Sequence, residues 1–131
     1  MKISHRLALK LSPLVEAARG EPLVEPFVEI EAIDDDQLVL ESSHGRFVFD
    51  RKARVVLQEG QQLATFDSIQ SVDLAGFPGG RGERSWSITL FSGFLDRITV
   101  GRTYDDGDAS VVAAKLADVI GCKVISLLGT R

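Results

Sequence analysis

Hydrophobic and polar residues change rhythm several times along this chain, and each change marks an element. In residues 3–11, Ile3, His5, Leu7, Leu9 and Leu11 alternate with Ser4, Arg6, Ala8 and Lys10. A period of two puts the first set on one face of a strand and leaves a basic outer face. Ser12-Pro13 then has the chemistry of a helix start, with proline at the first helical position, for a short helix through Arg19 that Gly20 and Pro22 end. Residues 23–33 alternate again, Val24, Val28, Ile30 and Ala32 against Glu25, Glu29 and Glu31. If this strand pairs with 3–11, basic and acidic faces meet, each opposed pair contributing about 0.2–1 kcal/mol. Two solvated faces that never touch satisfy the same pattern.

A run of short strands follows. Asp34-Asp35-Asp36 reads as a turn, since a calcium loop needs alternate ligands, a glycine at its sixth position and a distal glutamate. Leu38–Leu40 and Phe47–Phe49 flank Ser42-Ser43-His44-Gly45, a hairpin turn in which glycine supplies positive φ. Arg54–Leu57 comes next, and Glu59-Gly60 turns the chain into Leu63–Phe66. The step from Ile69 to Val72 is three residues and that from Val72 to Leu74 is two, a change of phase that predicts a turn or bulge. Residues 75–84 read as a glycine-rich loop. Beyond it Trp86, Ile88 and Leu90 alternate with Ser87, Thr89 and Phe91, Ser92-Gly93 turns, and Ile98 and Val100 mark another strand. The total is about seven strands between residues 36 and 101, the spacing of a barrel or sandwich.

The clearest element is a helix from about Asp108 to Ile120. Ala109, Val112, Ala113, Leu116, Ala117 and Ile120 form one apolar stripe. Asp108 is placed to cap it, Asp105 and Asp106 complement the dipole, and Gly121 can adopt the left-handed C-terminal conformation. Lys123–Leu128 is then an extended apolar tail, which needs cover from its own core or from a second copy of the protein.

The segments "ATFDSIQSVDL", "SWSITLF" and "DRITVGRTYDDGDASVVAAKLADVIG", in that order, resemble bacterial pleckstrin-homology-like domains over about Asp36 to Ile120. The resemblance implies a mainly β (α+β) fold, a partly open barrel of two nearly orthogonal antiparallel sheets plugged by one C-terminal helix. The chain then divides into an N-terminal β-rich extension (1–33), a pleckstrin-like core (34–121) and a C-terminal tail (122–131), together one domain. Such barrels bind phosphoinositides, peptides or proteins, or serve as structural modules, so the fold selects no function. Lipid-binding members carry a basic cluster in the first hairpin loop. Here Arg46 stands alone on it, with Arg51, Lys52 and Arg54 nearby, so that activity does not carry over.

Composition narrows the classes. The 131 residues are long enough to bury a core without disulfides or metals, and 44% hydrophobic with 26% charged content is ordinary for a globular domain. A net charge of −4 and a pI of about 5.1 argue against a dedicated nucleic-acid binder. The charge is uneven: residues 1–20 carry Lys2, Arg6, Lys10 and Arg19 against Glu16, whereas in residues 21–50 Arg46 is the single Lys or Arg among many acids. No apolar run approaches the roughly 20 residues of a membrane-spanning helix, which leaves room only for peripheral contact. Lys10 interrupts the leucine-rich N-terminal segment, so no secretory leader is expected, and the lone Cys122 favours a reducing compartment. The cytoplasm is the expected location.

Catalysis needs a nucleophile or base with an orienting partner. His5 on an apolar strand face and His44 in a turn have no sequence-local partner, and Cys122 follows a helix C-terminus whose dipole raises a thiol pKa. No enzyme activity, metal or cofactor is expected. Gly79-Gly80-Arg81-Gly82 could present backbone N–H groups to an anion, with Arg81 and Arg84 adding charge. It lacks the Lys-Ser/Thr of a phosphate loop, and a flexible hairpin connection is the plainer reading. Phe77 and Phe94, both near turns, either pack back onto the barrel or mark a surface that meets a partner. The leading expectation is a non-catalytic binding or assembly module acting through protein–protein contacts, self-association included. The alternatives are an anion or lipid-head-group binder using Arg81, Arg84 and Arg46, and, behind it, an enzyme with an unrecognised site.

Overall fold

Alternation builds the first sheet. The computed structural model describes residues 25–78, 84–93 and 96–128. The expected strand 3–11, the short helix after Pro13 and the candidates Arg81 and Phe94 lie outside them. Strands β1 (Val28–Ile33), β2 (Gln37–Ser42), β3 (Gly45–Asp50), β4 (Val55–Gln58) and β5 (Gln61–Thr65) form an antiparallel meander. Leu38 pairs with Phe49, Leu40 with Phe47, and Phe49 with Val56. These residues form one face, fully buried or nearly so, as the period of two requires. The strand expected from residue 23 is paired to β2 from Val28 onward, with a bulge between Ile30 and Ala32. The acidic turn holds as a turn: Asp34 Oδ1 accepts the N–H groups of Asp36 and Gln37. The Ser42–Gly45 hairpin is tighter than expected, because Ser42 and Gly45 already pair across the ladder and Gly45 takes φ of +124°.

Of the turn or bulge expected near Ile69, the structure has the turn, and it carries the chain from one sheet to the other. A 3-10 turn, Phe66–Ser68, ends the first sheet, capped by Thr65 Oγ1, which accepts the Ser68 N–H. The chain then enters β6 (Ser71–Pro78), β7 (Arg84–Phe91) and β8 (Arg97–Thr103). Residues 75–78 and Arg84, expected in the glycine-rich loop, belong to the β6–β7 ladder, where Phe77 pairs with Ser85 and Pro78 with Arg84. Ala75, Gly76 and Pro78 are poor strand formers, so the sequence pattern alone ends these strands earlier than the structure does. Gly76 fits because Trp86 lies across it, 2.6 Å from where a Cβ would stand.

The helix, α1 (Asp106–Ile120), buries the whole expected stripe together with Val119. It begins two residues before the expected Asp108. Asp105 is the cap, its Oδ1 accepting the Asp108 N–H at 2.8 Å. Asp108 lies at the third helical position, where its backbone receives the cap instead of supplying it. Gly121 ends the helix at φ +90°. The tail then folds onto its own protein: β9 (Lys123–Leu128) runs parallel to β6, Ser71 opposite Lys123 through Gly76 opposite Leu128. A parallel neighbour needs a long crossover, which α1 supplies.

The described chain is therefore mainly β. Its two sheets have orders β1-β2-β3-β4-β5 and β8-β7-β6-β9, with one α-helix, and they do not close into a barrel. Val72, Leu74, Ile88, Leu90 and Val100 of the second sheet join Leu38, Leu40, Phe47, Phe49 and Val56 of the first in one core, with the helix stripe over it. The segments before residue 34 and after residue 121 each contribute a strand to that assembly.

Candidate functional site

The same alternation that sends Val72 and Leu74 inward sends Ser71, Asp73, Ala75 and Phe77 to the opposite face of the second sheet. Register places Ile125 beside Asp73 and Leu127 beside Ala75, with Phe77 the next outward residue along β6. Phe77 is 47% exposed and Leu127 45%; Ala75 and Ile125 between them are half-buried. Two features that stand 50 residues apart, the end of the glycine-rich hairpin and the apolar tail, thus form one outward stripe.

A polar end borders this stripe. Asp73 is buried and accepts the Ser71 hydroxyl at 2.7 Å, and Arg97 reaches it at 3.6 Å while lying 4.9 Å above the Phe91 ring. Thr89 and Thr99 continue the row, their hydroxyls 3.0 Å apart. Paired in this way, Asp73 is a satisfied buried carboxylate.

Two of the arginines expected to serve an anion, Arg46 and Arg84, are engaged elsewhere. Arg46 lies in β3, on the outer face of the first sheet, 2.6 Å from Glu31 and 3.5 Å from Glu41. Arg84 stacks over Trp86 at 5.8 Å, a cation–π contact. Arg46 and Phe77 lie on different sheets.

Two of the described titratable groups, His44 and Cys122, are shifted from their ordinary pKa values. Partial burial, and then the Arg102 guanidinium, lower the pKa of His44 from 6.5. Burial raises the Cys122 thiol, and Asp73 raises it further. The direction for Cys122 matches the one expected from the sequence, with burial its first cause and Asp73 its second. Among the described residues no group of three His, Cys, Asp or Glu side chains could hold a metal ion. No described helix is long and apolar enough to cross a membrane. A groove of about 450 Å³ between β1 and α1 has Val28, Ile30, Val111 and Val112 on its walls, with Asp108 and Lys115 as its charged lining on the helix. Its lining includes no cysteine or histidine.

Phe77 stands out in the sequence as a contact residue, whereas Ile125 and Leu127 do so only once β9 lies beside β6. Their alternation across Ser126 was visible; what it could not show is that β9 lies beside β6. Comparison with family models, with curated proteins and with solved structures returns no match for this chain.

Proposed function

We infer that this protein is a non-catalytic binding module of pleckstrin-like architecture that acts through protein–protein contact. The observation that carries the reading is the outward stripe Phe77–Ala75–Leu127–Ile125 on β6 and β9. Among the described residues, Phe77, Ile125 and Leu127 take no part in the buried core. Each would supply about 1.5–3 kcal/mol if a partner buried it. The polar margin of Arg97, Thr89 and Thr99 suits the rim of such an interface. Two sheets with a helix packed over their common core support the pleckstrin-like part of the reading. The strand β9 after the helix is an addition to that plan.

The test is co-purification of partners with tagged wild type and with a Phe77→Glu, Leu127→Glu double variant. Both positions are exposed, so the variant should keep the wild-type melting temperature and lose partners that use the stripe. Equal recovery by both proteins would contradict the reading. Liposome sedimentation separates the lipid alternative: binding at low salt that the double variant retains would point to a basic surface instead.

A further inference from the structure

Two sheets have four edges, and three of them carry features that discourage strand addition. β1 is bulged between Ile30 and Ala32 and bears Glu29 and Glu31. β5 is five residues long, begins with Gln61-Gln62, and its ladder to β4 is irregular. β8 carries Arg97 and Arg102, and its ladder slips at Ile88/Thr89. Charge, bulges and shortness are the usual protections of an edge. β9 has the least protection: its ladder to β6 is regular over six residues, its one charge is Lys123 at the first position, and Val124–Leu128 holds no charge, proline or glycine. Its other edge meets no strand among the described residues.

We propose that β9 pairs antiparallel with β9 of a second copy across a two-fold axis, joining two four-stranded sheets into one. This rests on the binding reading above and names its partner. The axis stands perpendicular to the sheet, so outward residues must oppose outward residues, and the pairing centres on a residue and not between two. Centring on Ser126 sets Ile125 against Leu127 of the second copy, and Leu127 against its Ile125. Lys123 then falls outside these apolar pairs. Centring on Ile125 would oppose Lys123 to Leu127 and forfeit that match. The Ser126 register also extends the Phe77–Leu127 stripe without a break into its symmetry mate.

The test uses the full chain. In a Cys122→Ser background, Ser126→Cys should form a covalent dimer under mild oxidation. Directly opposed antiparallel residues have Cα atoms about 4.5–5.5 Å apart, within disulfide range. Ser110→Cys on the exposed helix face should not. Analytical ultracentrifugation should show twice the chain mass at micromolar concentration. Ser126→Lys should raise the dimer dissociation constant by about fivefold or more, since two ammonium groups then face each other. A strict monomer, with Ser126→Cys cross-linking no more than Ser110→Cys, overturns the self-pairing. If that monomer still recovers a partner sensitive to the double substitution at Phe77 and Leu127, self-pairing alone has failed. If it recovers none, the binding reading has failed with it.

Discussion

At Gly101 a methyl group would stand 2.8 Å from a Val28 methyl and 3.2 Å from the Ser42 Cβ. Valine is stiff at χ1, so the contact cannot relax cheaply. Beside it the Ser42 hydroxyl donates to the Val100 carbonyl and accepts the His44 N–H. These contacts bring β8 of one sheet against β1 and β2 of the other. Gly101→Ala should therefore cost about 1–3 kcal/mol in denaturant unfolding, as overpacking does. His44 gives a pH signature. Its pKa is lower folded than unfolded, so between the folded value and 6.5 the unfolded chain binds more protons. Stability from this group is full above pH 6.5 and is lost as pH falls below it. Melting temperatures of wild type and His44→Gln should diverge on acidification, wild type falling further. Cys122 should alkylate slowly near neutral pH, because burial and Asp73 suppress the thiolate. Asp73→Asn should move the pH–rate profile of iodoacetamide labelling to lower pH.

At the scale of elements, the helix was the most legible part of the sequence because its evidence is local. A stripe repeating every three to four residues needs no partner to be recognised, and all six of its positions are buried. The cap was misplaced for an equally local reason: Asp105, Asp106 and Asp108 all suit a helix start, and only the bond from the Asp108 N–H distinguishes them. Asp105→Ala should cost about 1 kcal/mol, and Asp108→Ala clearly less, in matched thermal melts. Short strands were counted well, since β2 to β8 are seven between Gln37 and Thr103. Their ends were not, because Gly76 and Pro78 look like loop and behave as strand. What Gly76 lacks in propensity it returns in space for Trp86.

At the scale of the molecule, the decisive relation was not legible at all. Nothing in Lys123–Leu128 says that it lies beside Ser71–Gly76, because the helix between them carries the chain across the sheet. That pairing sharpens the question the tail poses. β9 is part of the sheet, so removing everything after Lys123 would strip a ladder from β6 and confuse folding with binding. Point substitutions on the exposed stripe keep the two apart. It also separates candidates that composition grouped together. Phe77 is on the stripe, Arg84 is stacked on Trp86, and Arg46 is bound to Glu31 and Glu41 on the other sheet.

The central claim, that Phe77 and Leu127 form a contact surface for protein, is reached most directly by one comparison. Tagged wild type and the Phe77→Glu, Leu127→Glu variant are co-expressed with a differently tagged copy of wild type and recovered from cells under identical conditions. A bound chain, whether the second copy or another protein, should accompany wild type in fixed proportion. It should be lost from a variant whose melting temperature is unchanged. Recovery of the same chains in the same proportion by both proteins would contradict the account.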